Sequence, residues 1–320
     1  MLVSIRQRKF TSAAVLGLGV TLVAAVQLRA DTVYGANTST NQIQVIDTTA
    51  STVSTVTTDA NTPRGLTFTD ANNIVYTTTA TPTLADYNLQ THKTTVLNPN
   101  LGVNAVGGYV VLDPGSGSVT FDAGANIERY TLGTAKTTTV AANVAGRGLA
   151  YDSKGDLFAV LGSDEVAQIN PQTGAVLKSI TVPSTGGAGA NGLAFDPVTG
   201  ELFFTDDGNS LASRGLWEIS TSLASPTLVN KVVAANGLVA DGKGDLWIAD
   251  VDNLDEFNTK TLSLTVGVAD PGLFDVAVAP SSSGGPPPPP PPTVPEPVST
   301  LMIGGGLAAI AIARRFRGRS

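Results

Sequence analysis

The stretch GLAYDSKGDLFAVLGSDEVAQINPQTGAVLKSITV, residues 148–182, decides the fold. Its apolar runs alternate with Lys-Gly, Gly-Ser-Asp and Asn-Pro-Gln-Thr-Gly segments, whose residues accept the backbone angles of tight turns. The pattern predicts four short strands, at residues 148–152, 156–161, 165–169 and 175–182. Four strands within about 42 residues are typical of one blade of a β-propeller.

The beginning of this unit recurs along the chain. Six copies begin at intervals of 38 to 45 residues, at positions 65, 107, 148, 192, 237 and 275. The last copy has no partner strands after it, whereas residues 32–37 at the other end have the pattern of a second strand. Pairing the two ends would complete one blade and remove an exposed sheet edge. We therefore predict an all-β, six-bladed β-propeller over residues 31–280, closed by strands from both ends.

Two segments carry a family resemblance. Residues 191–196 (NGLAFD) and 244–250 (GDLWIAD) resemble the repeats of NHL, YVTN and SMP-30/gluconolactonase-like propellers. The resemblance extends loosely over the whole predicted propeller and is clearest from residue 148 to residue 250. It implies a fold more than an activity, because these families include both enzymes and binding modules.

The N-terminal segment has the features of a secretory signal. Residues 4–9 are basic and polar, an apolar run follows over residues 10–26, and small residues precede position 31. This order predicts a signal peptide over residues 1–30, cut after Ala30, with a cut near Ala25 as an alternative. An uncleaved membrane anchor is the other interpretation.

The C-terminal segment begins with a Ser/Gly/Pro-rich linker, residues 281–293, in which seven consecutive prolines form a stiff spacer. Residues 294–320 then combine a Pro-Glu-Pro motif, an apolar run predicted as a helix, and a basic end. This tail resembles the PEP-CTERM sorting signal. The residues that match are Pro295, Glu296, Pro297, Arg314, Arg315 and Arg317.

The resemblance implies recognition by an exosortase-type membrane protease. It also implies delivery to the cell surface, the outer membrane or the extracellular matrix, with membrane contact only through the C-terminal helix before processing. A simple C-terminal membrane anchor is the alternative. Positive charge after the apolar run is expected for a sorting signal and for an anchor alike.

Charge and composition exclude several function classes. Four of the 19 basic residues lie in the first thirty positions and four in the last seven, so residues 31–313 carry eleven basic against 26 acidic side chains. Such an acidic chain repels nucleic-acid backbones. The absence of cysteine excludes disulfides, iron–sulfur clusters and a cysteine nucleophile.

No catalytic residues are predicted. The single histidine, His92, lies in a predicted exposed hairpin turn, and no Gly-x-Ser-x-Gly elbow is present. Alternation along the strands favours packing roles for Trp217 and Trp247.

A metal site remains as an alternative through the resemblance to SMP-30-like lactonases. That resemblance implies a divalent ion at the mouth of the central channel, held by residues just before the Gly-Leu repeat starts. Asn191 matches an asparagine ligand of the family, and Asn236 stands where the family has a catalytic aspartate. Arg64 and Arg147 hold the equivalent positions, where they would oppose a cation, and Ca²⁺ prefers carboxylate and carbonyl oxygens.

Two acidic turns, which we expect on one face of the propeller, supply further candidates. Asp206, Asp250 and Asp252 could hold Ca²⁺ weakly or serve as ordinary solvated turn residues. We therefore predict no cofactor, with Ca²⁺ or another divalent cation as the alternative.

The sequence favours an exported, non-enzymatic binding or structural module whose partners are exopolysaccharide or surface proteins. A metal-dependent lactonase or esterase at the channel mouth is the alternative. A cofactor-bearing propeller dehydrogenase is a weaker third hypothesis, because no set of residues that would hold such a cofactor is visible.

Overall fold

The computed structural model describes residues 32–58, 61–101, 108–162, 164–182, 189–207, 214–231 and 235–280. The predicted signal peptide, linker and sorting segment lie outside the described residues. Within the described part of the chain, no helix is long and apolar enough to cross a membrane.

The described residues form 24 strands in six four-stranded sheets. In chain order the strands are β1 (Thr32–Asn37), β2 (Gln42–Asp47), β3 (Thr52–Thr58), β4 (Pro63–Phe68), β5 (Asn73–Thr78), β6 (Leu84–Asn88), β7 (Lys93–Asn98), β8 (Val110–Leu112), β9 (Val119–Asp122), β10 (Ile127–Thr131), β11 (Lys136–Ala141), β12 (Gly146–Tyr151), β13 (Leu157–Leu161), β14 (Glu165–Ile169), β15 (Val176–Thr181), β16 (Ala190–Asp196), β17 (Glu201–Asp206), β18 (Gly215–Ser220), β19 (Thr227–Asn230), β20 (Ala235–Ala240), β21 (Asp245–Asp250), β22 (Asn253–Asn258), β23 (Ser263–Ala269) and β24 (Leu273–Val278).

Each sheet is one blade of a six-bladed propeller, as predicted. Blades I to V are built from consecutive strands: β4–β7, β8–β11, β12–β15, β16–β19 and β20–β23. Blade VI has the order β24-β1-β2-β3, with Val33 paired to Val278 and Gly35 to Val276. The last strand thus joins the first three, which confirms the predicted closure and leaves no open edge at the ring seam.

The core lies between neighbouring blades, which explains why the second strands are apolar on both faces. Trp247 of β21 is fully buried and packs in one cluster with Val33 and Val276 of blade VI. Trp217 stacks on Phe204 with a centroid distance of 6.1 Å. Both tryptophans are therefore packing residues, as the alternation predicts.

The copy predicted near residue 107 is present in a shortened form. Its first strand, β8, has only three residues, and residues 102–107 lie outside the described part of the chain. His92 lies in the exposed turn between β6 and β7, with its Nδ1 atom 3.1 Å from the Tyr87 hydroxyl. Its predicted position in a hairpin turn is confirmed.

Candidate functional site at the channel mouth

The first strands of the six blades surround a central channel of about 390 Å³. Its lining is mostly apolar. One residue from each blade forms the first layer: Leu66, Val110, Leu149, Leu193, Leu238 and Val276.

A β-bulge begins the first strand in blades I, III, IV and V, and a register shift between Leu273 and Asp275 begins it in blade VI. The pairing register shifts between Ala190 and Leu193 in blade IV, and at equivalent positions in blades I, III and V. Two residues, Arg-Gly or Asn-Gly, are left outside the regular ladder, and such bulges redirect side chains. The bulge therefore takes the residue before each glycine out of the ladder, at the end of the ring where the first strands begin.

The glycine of each bulge is required by close backbone contact with the next blade. A Cβ atom on Gly148 would overlap the backbone oxygen of Asn191, and one on Gly192 would overlap that of Asn236. Only glycine fits such a position without displacing backbone. The recurrent glycines of the sequence thus mark where the blades touch around the axis.

Two threonines of second strands connect adjacent blades at these positions. The Thr205 hydroxyl accepts a hydrogen bond from Gly192 N at 2.9 Å and donates to the Asn236 carbonyl at 2.6 Å. Thr77 makes the same pair of bonds with Gly65 N and the Gly108 carbonyl. The sequence analysis did not identify these two threonines. They could have been found from the sequence, because a threonine stands at the same place in two copies of the repeat.

Six residues at the starts of the first strands form a ring at one end of the propeller axis, which we call the channel mouth. The channel lining begins next to them, at Tyr109, Asp275 and the leucine after each bulge glycine. In ring order the six mouth residues are Arg64, Gly108, Arg147, Asn191, Asn236 and Phe274. Sequence analysis placed four of them at this end of the channel. It missed Gly108 and Phe274, because the repeat starts of their blades lack the Gly-Leu pair.

Arg147, Asn191 and Asp207 form a hydrogen-bonded chain across the mouth. Arg147 Nη1 donates to Asn191 Oδ1 at 2.8 Å, and the Asn191 amide hydrogen-bonds Asp207. Burial raises the pKa of Asp207, although Asn191, Arg147 and Arg214 each lower it. The amide oxygen that a metal would need is therefore turned toward a guanidinium group.

The second guanidinium of the mouth rests on an aromatic ring. Arg64 Cζ lies 4.2 Å from the centroid of Phe274, which in turn lies 5.8 Å from the Tyr109 ring. Burial lowers the pKa of Arg64, Tyr109 raises it, and repulsion from Arg147 lowers it further. Because an arginine stays charged at neutral pH, the mouth holds two cations that influence each other.

Beneath the mouth, Asp275 and Tyr109 occupy the positions that glycine holds in the other blades. Asp275 Oδ2 accepts a hydrogen bond from Leu66 N at 3.1 Å, and burial raises the pKa of this carboxyl to about 8. Burial also raises the pKa of Tyr109 well above its usual value, and nearby Asp275 contributes. The Tyr109 hydroxyl has no hydrogen-bond partner among the described residues.

The predicted acidic candidates lie on the mouth side without forming a cluster. Asp206 and Asp250 end β17 and β21 and pair with Ala190 and Ala235, the first residues of β16 and β20. Asp206 is buried, unlike a solvated turn residue, whereas Asp252 is exposed. Within the described ranges, no three His, Cys, Asp or Glu side chains come together as a metal-binding group.

These donors do not fit the divalent ion of an SMP-30-like site. Asn191 Oδ1 already accepts from Arg147, and Arg64 adds a second positive charge to the same opening. Hard cations need several unopposed oxygen ligands, and two guanidinium groups repel them.

No family model and no curated protein matches the sequence. The fold is similar to those of many solved structures. A chain of a nidogen/laminin complex superposes with a TM-score of 0.64 at 13% identity, over 78% of this chain and 99% of that one.

Two further structures are similar at comparable identity. TolB from Acinetobacter baumannii gives a TM-score of 0.59 at 15% identity, over 78% of this chain and 66% of that one. A streptogramin B lyase gives 0.53 at 14% identity, over 74% of each chain. At these identities the similarity shows a shared β-propeller fold and nothing finer.

Proposed function

We propose that the chain is an exported propeller that acts as a binding or structural module, with the channel mouth as its binding face. The observation that carries this proposal is the hydrogen-bonded chain from Arg147 through Asn191 to Asp207. The Asn191 oxygen that a metal-dependent lactonase would use as a ligand accepts from Arg147 instead, which supports recognition by charge and hydrogen bonds over metal catalysis. One similar structure, the nidogen/laminin complex, is that of a propeller bound to a protein partner.

Export and sorting form part of the proposal and rest on the sequence of the two ends. Residues 1–30 direct secretion, and an exosortase-type protease recognises residues 294–320. The propeller would then reach the cell surface or the extracellular matrix, where exopolysaccharide or surface proteins are its partners.

Sorting is tested by replacing Arg314, Arg315 and Arg317 with alanine in the full chain. Loss of the basic end removes the charge that stops the apolar segment at the membrane, so we expect an unprocessed precursor in cell fractions. A matched triple replacement of Thr79, Thr81 and Thr91 by alanine, in turns of blade I, controls for expression. Normal surface delivery of the arginine variant would contradict the sorting proposal.

Binding is tested by incubating the processed protein with exopolysaccharide from the same cells. We expect the wild-type protein to be retained and Arg147→Gln to be retained less. Lys154→Gln removes the same charge at an exposed turn away from the mouth and should bind like the wild type. Equal retention of all three proteins would refute a role for the mouth. If the wild-type protein were not retained on exopolysaccharide and also bound no surface protein, the proposal of a binding module would be refuted.

Elemental mass spectrometry after exhaustive dialysis distinguishes this proposal from the lactonase alternative. We expect no divalent ion in stoichiometric amount. An ion close to one per chain that disappears in Asn191→Ala would overturn the binding proposal and justify screens with lactones and esters.

A further inference from the structure

The central channel is a pocket with one closed end and one open end. Tyr109 and Asp275 line the end next to the mouth, and none of the six mouth residues lines the channel. The pKa of Tyr109 responds to charged side chains of blades I, III, IV and VI, so this side chain lies close to the axis and closes that end. Asp70 and Pro280 line the other end and are exposed. The pocket is therefore entered from the face opposite the mouth.

The side chains along this pocket are mostly aliphatic. The layer of leucine and valine next to the closed end is followed by a layer of smaller side chains: Thr67, Val111, Ala150, Ala194, Val239 and Ala277. The volume of about 390 Å³ holds about a dozen non-hydrogen atoms, at roughly 30 Å³ each. An apolar pocket of this size favours a small ligand with a hydrocarbon chain.

Asp275 places a carboxyl group without a cationic partner at the closed end. Its hydrogen bonds come from the backbone N–H groups of Leu66 and Val276. Among the described residues no lysine, arginine or histidine forms an ion pair with it. The buried hydroxyl of Tyr109, another lining residue of this end, also has no hydrogen-bond partner in the described part of the chain. A buried carboxylate is costly without a positive charge, and a bound ammonium group would supply one.

Charge at both ends of the pocket disfavours an anionic ligand. Asp70 stands at the opening, Asp275 at the closed end, and the chain has a net charge of −7. Arg64 and Arg147 do not line the pocket, and the pKa of Asp275 is set by burial and backbone hydrogen bonds. A fatty-acid carboxylate is therefore repelled, whereas a cation is attracted to the opening.

We propose that the channel binds a small aliphatic ammonium ion, whose ammonium group pairs with the Asp275 carboxylate and whose hydrocarbon chain extends toward Asp70. This site goes beyond the proposed function, because it lies at the other end of the axis from the mouth. Burial raises the pKa of Asp275 to about 8, so at neutral pH the empty pocket holds mostly the neutral acid. Binding ionises this carboxyl and releases one proton to solvent, while the amine keeps its own proton and Tyr109, with its raised pKa, stays neutral.

Calorimetry with octylammonium chloride as the probe tests the proposal on the processed protein. We expect saturable 1:1 binding, weaker binding of octanol and the weakest binding of octanoate. Hexylammonium should bind more weakly on the order of tenfold, because two methylene groups fewer are buried. Absence of saturable octylammonium binding would overturn the proposal, and so would octanoate binding of equal strength.

The role of Asp275 is tested by the pH dependence of octylammonium binding. Affinity should rise about fiftyfold from pH 6 to pH 8, because the ionised fraction of a carboxyl with a pKa of about 8 rises from about 1% to about half. Asp275→Asn should bind more weakly at pH 8 and lose this dependence. Asp47→Asn, at an exposed turn, should behave like the wild type. A pH dependence that persists in Asp275→Asn would contradict the proposed pairing.

The location of the ligand is tested by filling the pocket. Thr67→Phe adds a ring to the layer of small side chains and should weaken octylammonium binding at least about tenfold, the loss of roughly two buried methylene groups. Thr139→Phe makes the same change on the exposed outer strand β11 and should bind like the wild type. Thermal melts identify which variants are folded, and Asp275→Asn carries the test if Thr67→Phe is not.

Binding by folded Thr67→Phe at wild-type affinity would place the ammonium ion elsewhere on the acidic surface and overturn the inference. Retention on exopolysaccharide that depends on Arg147 would be unaffected by that result. The inference and the proposed function can therefore fail separately.

Discussion

Asp275 is a buried carboxyl at the seam where blade VI meets blade I, and its titration should make the stability of the propeller depend on pH. It is 5% exposed, and its Oδ2 atom accepts a hydrogen bond from Leu66 N at 3.1 Å. Burial raises its pKa to about 8, whereas in an unfolded chain an aspartate titrates near 4, on the order of model peptides. Between these two values the folded state keeps a proton that the unfolded state has lost.

The sign of the effect follows from this difference in bound protons. Stability falls as pH rises wherever the folded state binds more protons than the unfolded state. One full proton changes the free energy of unfolding by about 1.4 kcal/mol per pH unit. From pH 5 to pH 8 the folded Asp275 loses half its proton, so this carboxyl alone should lower the free energy of unfolding by about 3 kcal/mol.

Asp275→Asn removes the titration and keeps an oxygen that can accept from Leu66 N. We expect the variant to gain about 3 kcal/mol relative to the wild type between pH 5 and pH 8, whatever its stability at pH 5. Urea unfolding followed by the fluorescence of Trp217 and Trp247 measures this difference. Asp47→Asn, at an exposed turn, controls for the loss of one carboxyl. An identical difference between Asp275→Asn and wild type at both pH values would refute the reasoning.

Three further predictions concern the inter-blade contacts. Gly148→Ala places a Cβ atom on the backbone of blade IV and should lower the free energy of unfolding by about 1–3 kcal/mol, whereas Gly133→Ala, which meets nothing within 4 Å, should have little effect. Thr205→Val leaves Gly192 N without its acceptor and should lower the free energy of unfolding by about 1–3 kcal/mol, most of which Thr205→Ser should restore. Equal urea midpoints for the two variants would argue against the hydrogen-bonded bridge. Trp247→Ala empties the interface between blades V and VI and should cost about 3–5 kcal/mol in chemical unfolding, against under 0.5 kcal/mol for Leu177→Ala, which is 57% exposed.

The number of blades and the ring closure were predictable because they follow from local, repeated patterns. Each Gly-Leu start marks a first strand, and the turn residues after it fix the lengths of the next strands. Asn191 and Asn236 could be placed at the channel mouth for the same reason, since equivalent positions of a repeat lie on one ring.

The remaining members of the site could not be predicted from the repeat. Tyr109 lies in the copy that departed most from the repeat, so no pattern marked it. Position 275 marked the start of the last copy, but the repeat gave no sign that its aspartate would be buried. The sequence after Asp206 is typical of a turn, and this residue was therefore a candidate for a solvated turn carboxylate. It is buried in the structure, because it ends a second strand and its neighbours cover it.

The sequence by itself determined the fold, because strand period, turn chemistry and repeat spacing are local properties. It also carries the signals on which the proposal of export rests. Only the tertiary structure decided which polar groups meet. The Arg147–Asn191 bond joins residues 44 positions apart, and the bond between Asp275 and Leu66 joins residues 209 positions apart. Such contacts, and the raised pKa values that burial produces, depend on how six blades close around one axis, and no segment of the chain encodes that geometry alone.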